Sequence, residues 1–174
     1  MRTFKLVMLM IIVITSISTI GYSQTTNEVR IGTISNGVLT ISNDQYLIKY
    51  FKIRIGNDGS LGEYLFQYAP DKKTVLLSCP ITENSKGVTC ISLLLIVDQN
   101  IAYLTNEKSS LGDTGGGASV EVTCTGDPCN SCLVNVSSWY PFHAYCKCHQ
   151  NTPPCTNCKC NMTTSTTVNI NIGL

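Results

Sequence analysis

Eight of the ten cysteines of this chain fall between Cys124 and Cys160, at positions 124, 129, 132, 146, 148, 155, 158 and 160. The same stretch carries both histidines, His143 and His149, and the single tryptophan, Trp139. A segment of this size with few large aliphatic side chains cannot bury enough apolar surface to fold by that means alone. Its thiols must therefore cross-link, either to one another or through a metal. The cysteines thus define a small stapled module over residues 118–174.

The choice between disulfides and metal turns on the compartment. Arg2 and Lys5 precede an unbroken apolar run at 6–14, and Gly21-Tyr22-Ser23 supplies small residues for cleavage. This pattern predicts a signal peptide over residues 1–23, with Gln24 first in the mature chain. The apolar run is short for a span of about 20 residues, so no transmembrane segment is expected after cleavage. No cysteine stands at the mature N-terminus to carry a lipid anchor. The expected location is secreted, periplasmic or cell-surface. All ten cysteines then meet an oxidising environment, and an even count permits complete pairing.

Charge excludes one class of partner. The 12 Lys and Arg residues lose two with the leader, leaving 10 against 11 Asp and Glu. No basic stripe is present, so no nucleic-acid partner is expected.

Residues 24–110 read as an all-β domain. Asn36-Gly37 lies between two β-rich runs and signals a two-residue hairpin. Residues 45–55 read as a strand with Phe51, Ile53 and Ile55 on one face and Lys52 and Arg54 on the other. Another strand is expected over 61–68, an antiparallel pair over 73–79 and 87–97, and a last strand over 101–106. Residues 93–97 are apolar at every position, as a strand covered on both faces would be. Seven such runs, with turn residues between, predict an antiparallel β-sandwich or barrel. Cys79 and Cys90 flank a ten-residue loop, and a bridge between them would stabilise that hairpin by roughly 3 kcal/mol.

Residues 111–117 contain three consecutive glycines and read as a linker or a wide loop. Beyond them, 119–125 alternates as a strand, and Val168, Ile170, Ile172 and Leu174 predict a terminal strand with one buried face. More than a hundred pairings of the eight module cysteines are open. One constraint narrows them. The members of a C-x-C pair on a strand share a face and bridge each other poorly, so Cys146 and Cys148 should find different partners, as should Cys158 and Cys160.

The fold class expected is therefore mainly β: a sandwich or barrel body followed by a small disulfide-stapled module. The candidate disulfide residues are Cys79, Cys90, Cys124, Cys129, Cys132, Cys146, Cys148, Cys155, Cys158 and Cys160. The alternative is a metal site drawn from Cys129, Cys132, Cys155, Cys158, His143 and His149, suited to Zn, Cu or an iron–sulfur centre. A third reading is a thiol–disulfide redox protein acting through Cys129/Cys132 or Cys155/Cys158, although neither pair opens a helix in a βαβ setting. No G-x-S-x-G, H-E-x-x-H, phosphate-binding or dinucleotide motif is present. No cofactor is expected outside the metal alternative. Trp139, Tyr140, Phe142 and Tyr145 form a candidate recognition surface, or else a lid over the disulfides. Asn135 and Asn161 open acceptor sequences for N-glycosylation. The function this supports is a non-enzymatic binding or structural role at the cell surface, with a protein or surface partner.

Overall fold

The computed structural model describes residues 28–105, 119–127, 129–149 and 157–165. The segment expected as a signal peptide, the expected linker at 111–117, Cys155 and the strand expected near 168–174 lie outside these residues. The described elements run β1 (Glu28–Ser35), β2 (Val38–Ile41), α1 (Asp44–Ile55), β3 (Ser60–Leu61), β4 (Leu65–Tyr68), β5 (Thr74–Thr82), β6 (Val88–Asp98) and β7 (Ile101–Thr105). They continue with β8 (Glu121–Asp127), β9 (Cys132–Trp139), β10 (Phe142–Cys148) and β11 (Lys159–Ser165). The fold is mainly β, with antiparallel sheets that form a half-barrel.

The strand β6 is the hub. One of its edges pairs with β5 from Ile96 to Cys90. Its other edge is divided: Val88 to Leu93 pair with β8, and Ile96 to Asp98 pair with β7. From there the sheet extends through β7, β1 and β2 on one side and through β8 to β11 on the other. Strands on either side of the 111–117 segment therefore belong to one sheet. The remaining strands, β9 and β10, form a separate two-stranded ribbon.

Period-two alternation sorts the central side chains between two cores. Val75, Leu77, Cys79 and Ile81 of β5, with Ile91, Leu93 and Leu95 of β6, pack with α1. Leu76 of β5, with Cys90 and Leu94 of β6, packs with Val122, Val134 and the module cysteines. Helix covers one face and ribbon the other. This explains the continuous apolar run at 93–97, since a strand covered on both sides needs no polar face.

Residues 45–55 are a helix and not the expected strand. The buried side chains are Tyr46, Leu47, Tyr50, Phe51 and Ile55, spaced at three, four and five residues along one helical face. Ile53, which completed the apparent alternation, is 51% exposed. The helix ends at Gly56, whose φ of 89° lies in the left-handed region and whose N–H donates to the Lys52 carbonyl at 2.9 Å. The strand expected over 61–68 is split in two: Leu61 stands opposite Ile81 and Gly62 N–H still donates to the Pro80 carbonyl at 2.8 Å, but β4 resumes one residue out of that register, with Leu65 opposite Ser78. The Asn36-Gly37 turn is as its sequence requires, with φ of 52° and 78°.

Candidate functional site

The cysteines join the ribbon to the sheet. Cys124 on β8 is bridged to Cys146 on β10, with Cα atoms 5.8 Å apart. Cys129, in the loop after β8, is bridged to Cys148 at the end of β10. Cys132 at the start of β9 is bridged to Cys160 on β11. Along β10 the even-numbered residues Phe142, Ala144, Cys146 and Cys148 are half-buried, while His143, Tyr145 and Lys147 are exposed. Cys146 and Cys148 thus share the inward face and take different partners, as strand geometry demands. Cys158 is also held in a disulfide.

A buried hydroxyl fits between these bridges. Thr89 Oγ1 lies 3.2 Å from the Cys124 carbonyl and 3.3 Å from the Cys132 carbonyl, and it accepts the Cys132 N–H at 3.2 Å. Gly126 completes the close approach. A Cβ at that position would meet the Cys129 carbonyl oxygen at 1.5 Å, so the loop that presents Cys129 can fold back only over glycine.

Cys79 and Cys90 do not form the expected hairpin bridge; both are free and buried. The register gives the reason. Cys79 stands opposite Ile91, and Cys90 opposite Pro80. One residue of offset sends the two side chains to opposite faces of the sheet, Cys79 toward α1 and Cys90 toward the ribbon. Burial pushes the Cys79 thiol up to about 12 and also raises that of Cys90. Neither is a reactive thiol in the folded protein.

Among the described residues, the members of the expected metal set do not come together. Cys129 and Cys132 are bonded to Cys148 and Cys160, so they do not form a redox couple with each other either. His143 and His149 are both exposed and stand at opposite ends of the ribbon: His143 pairs with Ser138, and His149 N–H donates to Ser131. Cys155 lies outside the described residues. What does come together is a different group, the Sγ atoms of Cys129, Cys148 and Cys160, all within 4.8 Å of one another. The sequence hides this because it depends on register: Cys148 stands directly across from Cys132 in the ribbon.

The aromatic residues divide. Trp139 and Phe142 pack on the ribbon-side core, their ring centroids 6.3 Å apart. Tyr140 and Tyr145 are exposed, and the Tyr140 hydroxyl donates to Asp71 at 2.7 Å. Beside Cys148, between the ribbon and the β4–β5 edge, lies a cleft of about 230 Å³. Leu65, Ser78 and Leu133 form part of its wall, Lys147 and His149 border it, and Gln67 reaches across to donate to the Val134 carbonyl at 2.9 Å.

One polar cluster escaped the sequence altogether. The buried Glu121 of β8 accepts hydrogen bonds from Arg54 Nε at 2.9 Å and from the Tyr50 hydroxyl. Arg54 also lies over the Tyr50 ring, 4.8 Å from its centroid. Burial and the hydrogen bond to Glu121 hold the Tyr50 phenol far above its ordinary range. For Arg54, burial opposes the charge, but Glu121 and Tyr50 outweigh it and the guanidinium is raised. This cluster fastens the helix to the sheet.

No protein-family model, curated protein or solved structure matches the chain.

Proposed function

We propose that this is an exported, non-enzymatic protein that serves as a stabilised binding or structural element at the cell surface. The observation that carries the reading is the clamp itself: three bridges fix a two-stranded ribbon against the sheet. Such cross-links persist outside the cytosol, where they reinforce the small apolar core that the ribbon shares with the sheet. The clamped ribbon presents His143, Tyr145 and Lys147 on its outer face, and Lys147 borders the cleft beside Cys148. A rigid scaffold with an exposed aromatic and cationic strand suits recognition of a partner surface. The buried, raised thiols of Cys79 and Cys90 and the dispersed histidines favour binding over catalysis.

The test is to express the full chain and collect the exported fraction for intact mass after alkylation without reduction. The expected species begins at Gln24 and carries alkylated Cys79 and Cys90 only after denaturation. A chain that keeps its leader, or that carries alkylated Cys124, Cys129 or Cys132 in the native state, would overturn the reading.

A further inference from the structure

The convergence of Cys129, Cys148 and Cys160 goes beyond the stapled scaffold, which concerns the oxidised protein alone. We propose that, when its bridges are reduced, Cys129, Cys132, Cys148 and Cys160 form a four-thiolate site for a thiophilic divalent cation such as Zn²⁺. Three of the four sulfurs already lie within 4.8 Å of one another. The fourth, Cys132, is bonded to Cys160 and faces Cys148 across the ribbon. In a tetrahedral thiolate site with metal–sulfur bonds of about 2.3 Å, ligand sulfurs stand roughly 3.8 Å apart. Opening the two bridges lets the bonded sulfurs, 2.03 and 2.01 Å apart when oxidised, separate by roughly 1.8 Å to reach that spacing.

The scaffold that presents them does not consist of the bridges. Cys132 and Cys148 sit in the β9–β10 ladder, and Cys160 sits opposite Gly126 in the β8–β11 ladder. Cys129 is brought over by the loop that Gly126 admits, and with Cys132 it makes a C-x-x-C knuckle. Backbone pairing thus places all four cysteines at one end of the module. The chemistry balances. Two equivalents of a dithiol reductant are needed: each passes two electrons and two protons to one of the two bridges and is itself oxidised to a disulfide. The four thiols then release four protons as they bind one Zn²⁺. Bridge formation and metal binding compete for the same sulfurs, so the redox state of the module decides whether the metal is held.

The experiment takes the full chain, reduces it with a dithiol, removes the dithiol under anaerobic conditions and adds Zn²⁺. One equivalent should remain bound in native mass spectrometry. The metal should protect Cys129, Cys132, Cys148 and Cys160 from alkylation while Cys124 and Cys146 stay reactive. Cys148→Ser and Cys160→Ser should each weaken binding at least tenfold, and Cys79→Ala with Cys90→Ala should leave it unchanged. Protection of Cys155 and Cys158 in place of the four would overturn the site, as would binding indifferent to Cys148 and Cys160. A reduced chain that neither binds Zn²⁺ nor regains its far-ultraviolet strand signal on metal addition would also overturn it.

Discussion

Arg54 on the helix and Glu121 on β8 form an ion pair at 2.9 Å, although 67 residues separate them in the chain. The pair ties the one helix to the strand that enters the cysteine module, and the Tyr50 hydroxyl closes it on the third side. Both side chains are largely removed from water, at 28% and 11% exposure. Removing one partner therefore leaves the other charge poorly solvated.

Glu121→Gln should lower stability by about 2 kcal/mol, seen as an earlier midpoint in urea with an unchanged slope. Combining it with Arg54→Met should recover more than half of that loss, because no buried charge then lacks its partner. Additive losses in the double variant would show that the two residues act independently.

The buried thiols set an alkaline limit. In the unfolded chain Cys79 ionises near the ordinary thiol value of 9.0; in the folded protein it does so at about 12. A raised folded value means that stability is fully present below pH 9, declines as the unfolded state sheds its proton, and stops declining through this group above about pH 12. Within that window one such group contributes a slope of about 1.4 kcal/mol per pH unit. Cys79→Ala should partly flatten the loss of stability measured between pH 9 and 10, with Cys90 and the raised tyrosines Tyr46, Tyr50 and Tyr64 supplying the remaining slope. An unchanged slope would mean that Cys79 titrates normally in the fold.

How far the sequence was legible depended on range. Local signals carried well: Asn36-Gly37 announced its hairpin, and the all-apolar stretch at 93–97 announced a strand covered on both faces. The C-x-C rule, which depends only on alternation along one strand, gave the right exclusion for Cys146 and Cys148. Phe51 and Ile55 misled because a spacing of four fits both a two-residue and a helical period; Ile53, which fits only the strand, is exposed, and the deciding residues, Tyr46, Leu47 and Tyr50, lay just upstream. Cys79 and Cys90 misled for a longer-range reason. Their proximity across a hairpin was sound, but a single residue of register, invisible in the sequence, put them on opposite faces. The Glu121 cluster and the grouping of Cys129, Cys148 and Cys160 both arise from strands that meet only after the sheet has formed.

Gly126 offers a test of the loop that delivers Cys129. Its α-carbon approaches the Cys129 carbonyl so closely that even a methyl group overlaps it. Gly126→Ala should cost about 2–3 kcal/mol by displacing that loop. It should also leave Cys129 and Cys148 partly alkylatable in the oxidised protein while Cys124–Cys146 remains intact. Full oxidation of the variant would show that the loop can fold back without the glycine.

Removing the Cys124–Cys146 bridge should uncouple the ribbon from the sheet. The bridge closes 22 residues, for which chain entropy predicts a loss of about 3 kcal/mol. The loss should fall unevenly. The β6 hub keeps its partners β5 and β7, whereas the ribbon keeps its own ladder, its apolar contacts, a few hydrogen bonds to the body such as Gln67 to the Val134 carbonyl, and the two neighbouring bridges. Trp139, the one tryptophan, sits on β9 against the ribbon-side core, so its emission reports that docking directly. In Cys124→Ser with Cys146→Ser, Trp139 emission should shift to the red at lower denaturant than the far-ultraviolet strand signal is lost. In the unsubstituted protein the two transitions should coincide. If they also coincide in the double variant, the ribbon and sheet unfold as one unit, and the bridge stabilises the whole molecule without acting as the hinge pin of the module.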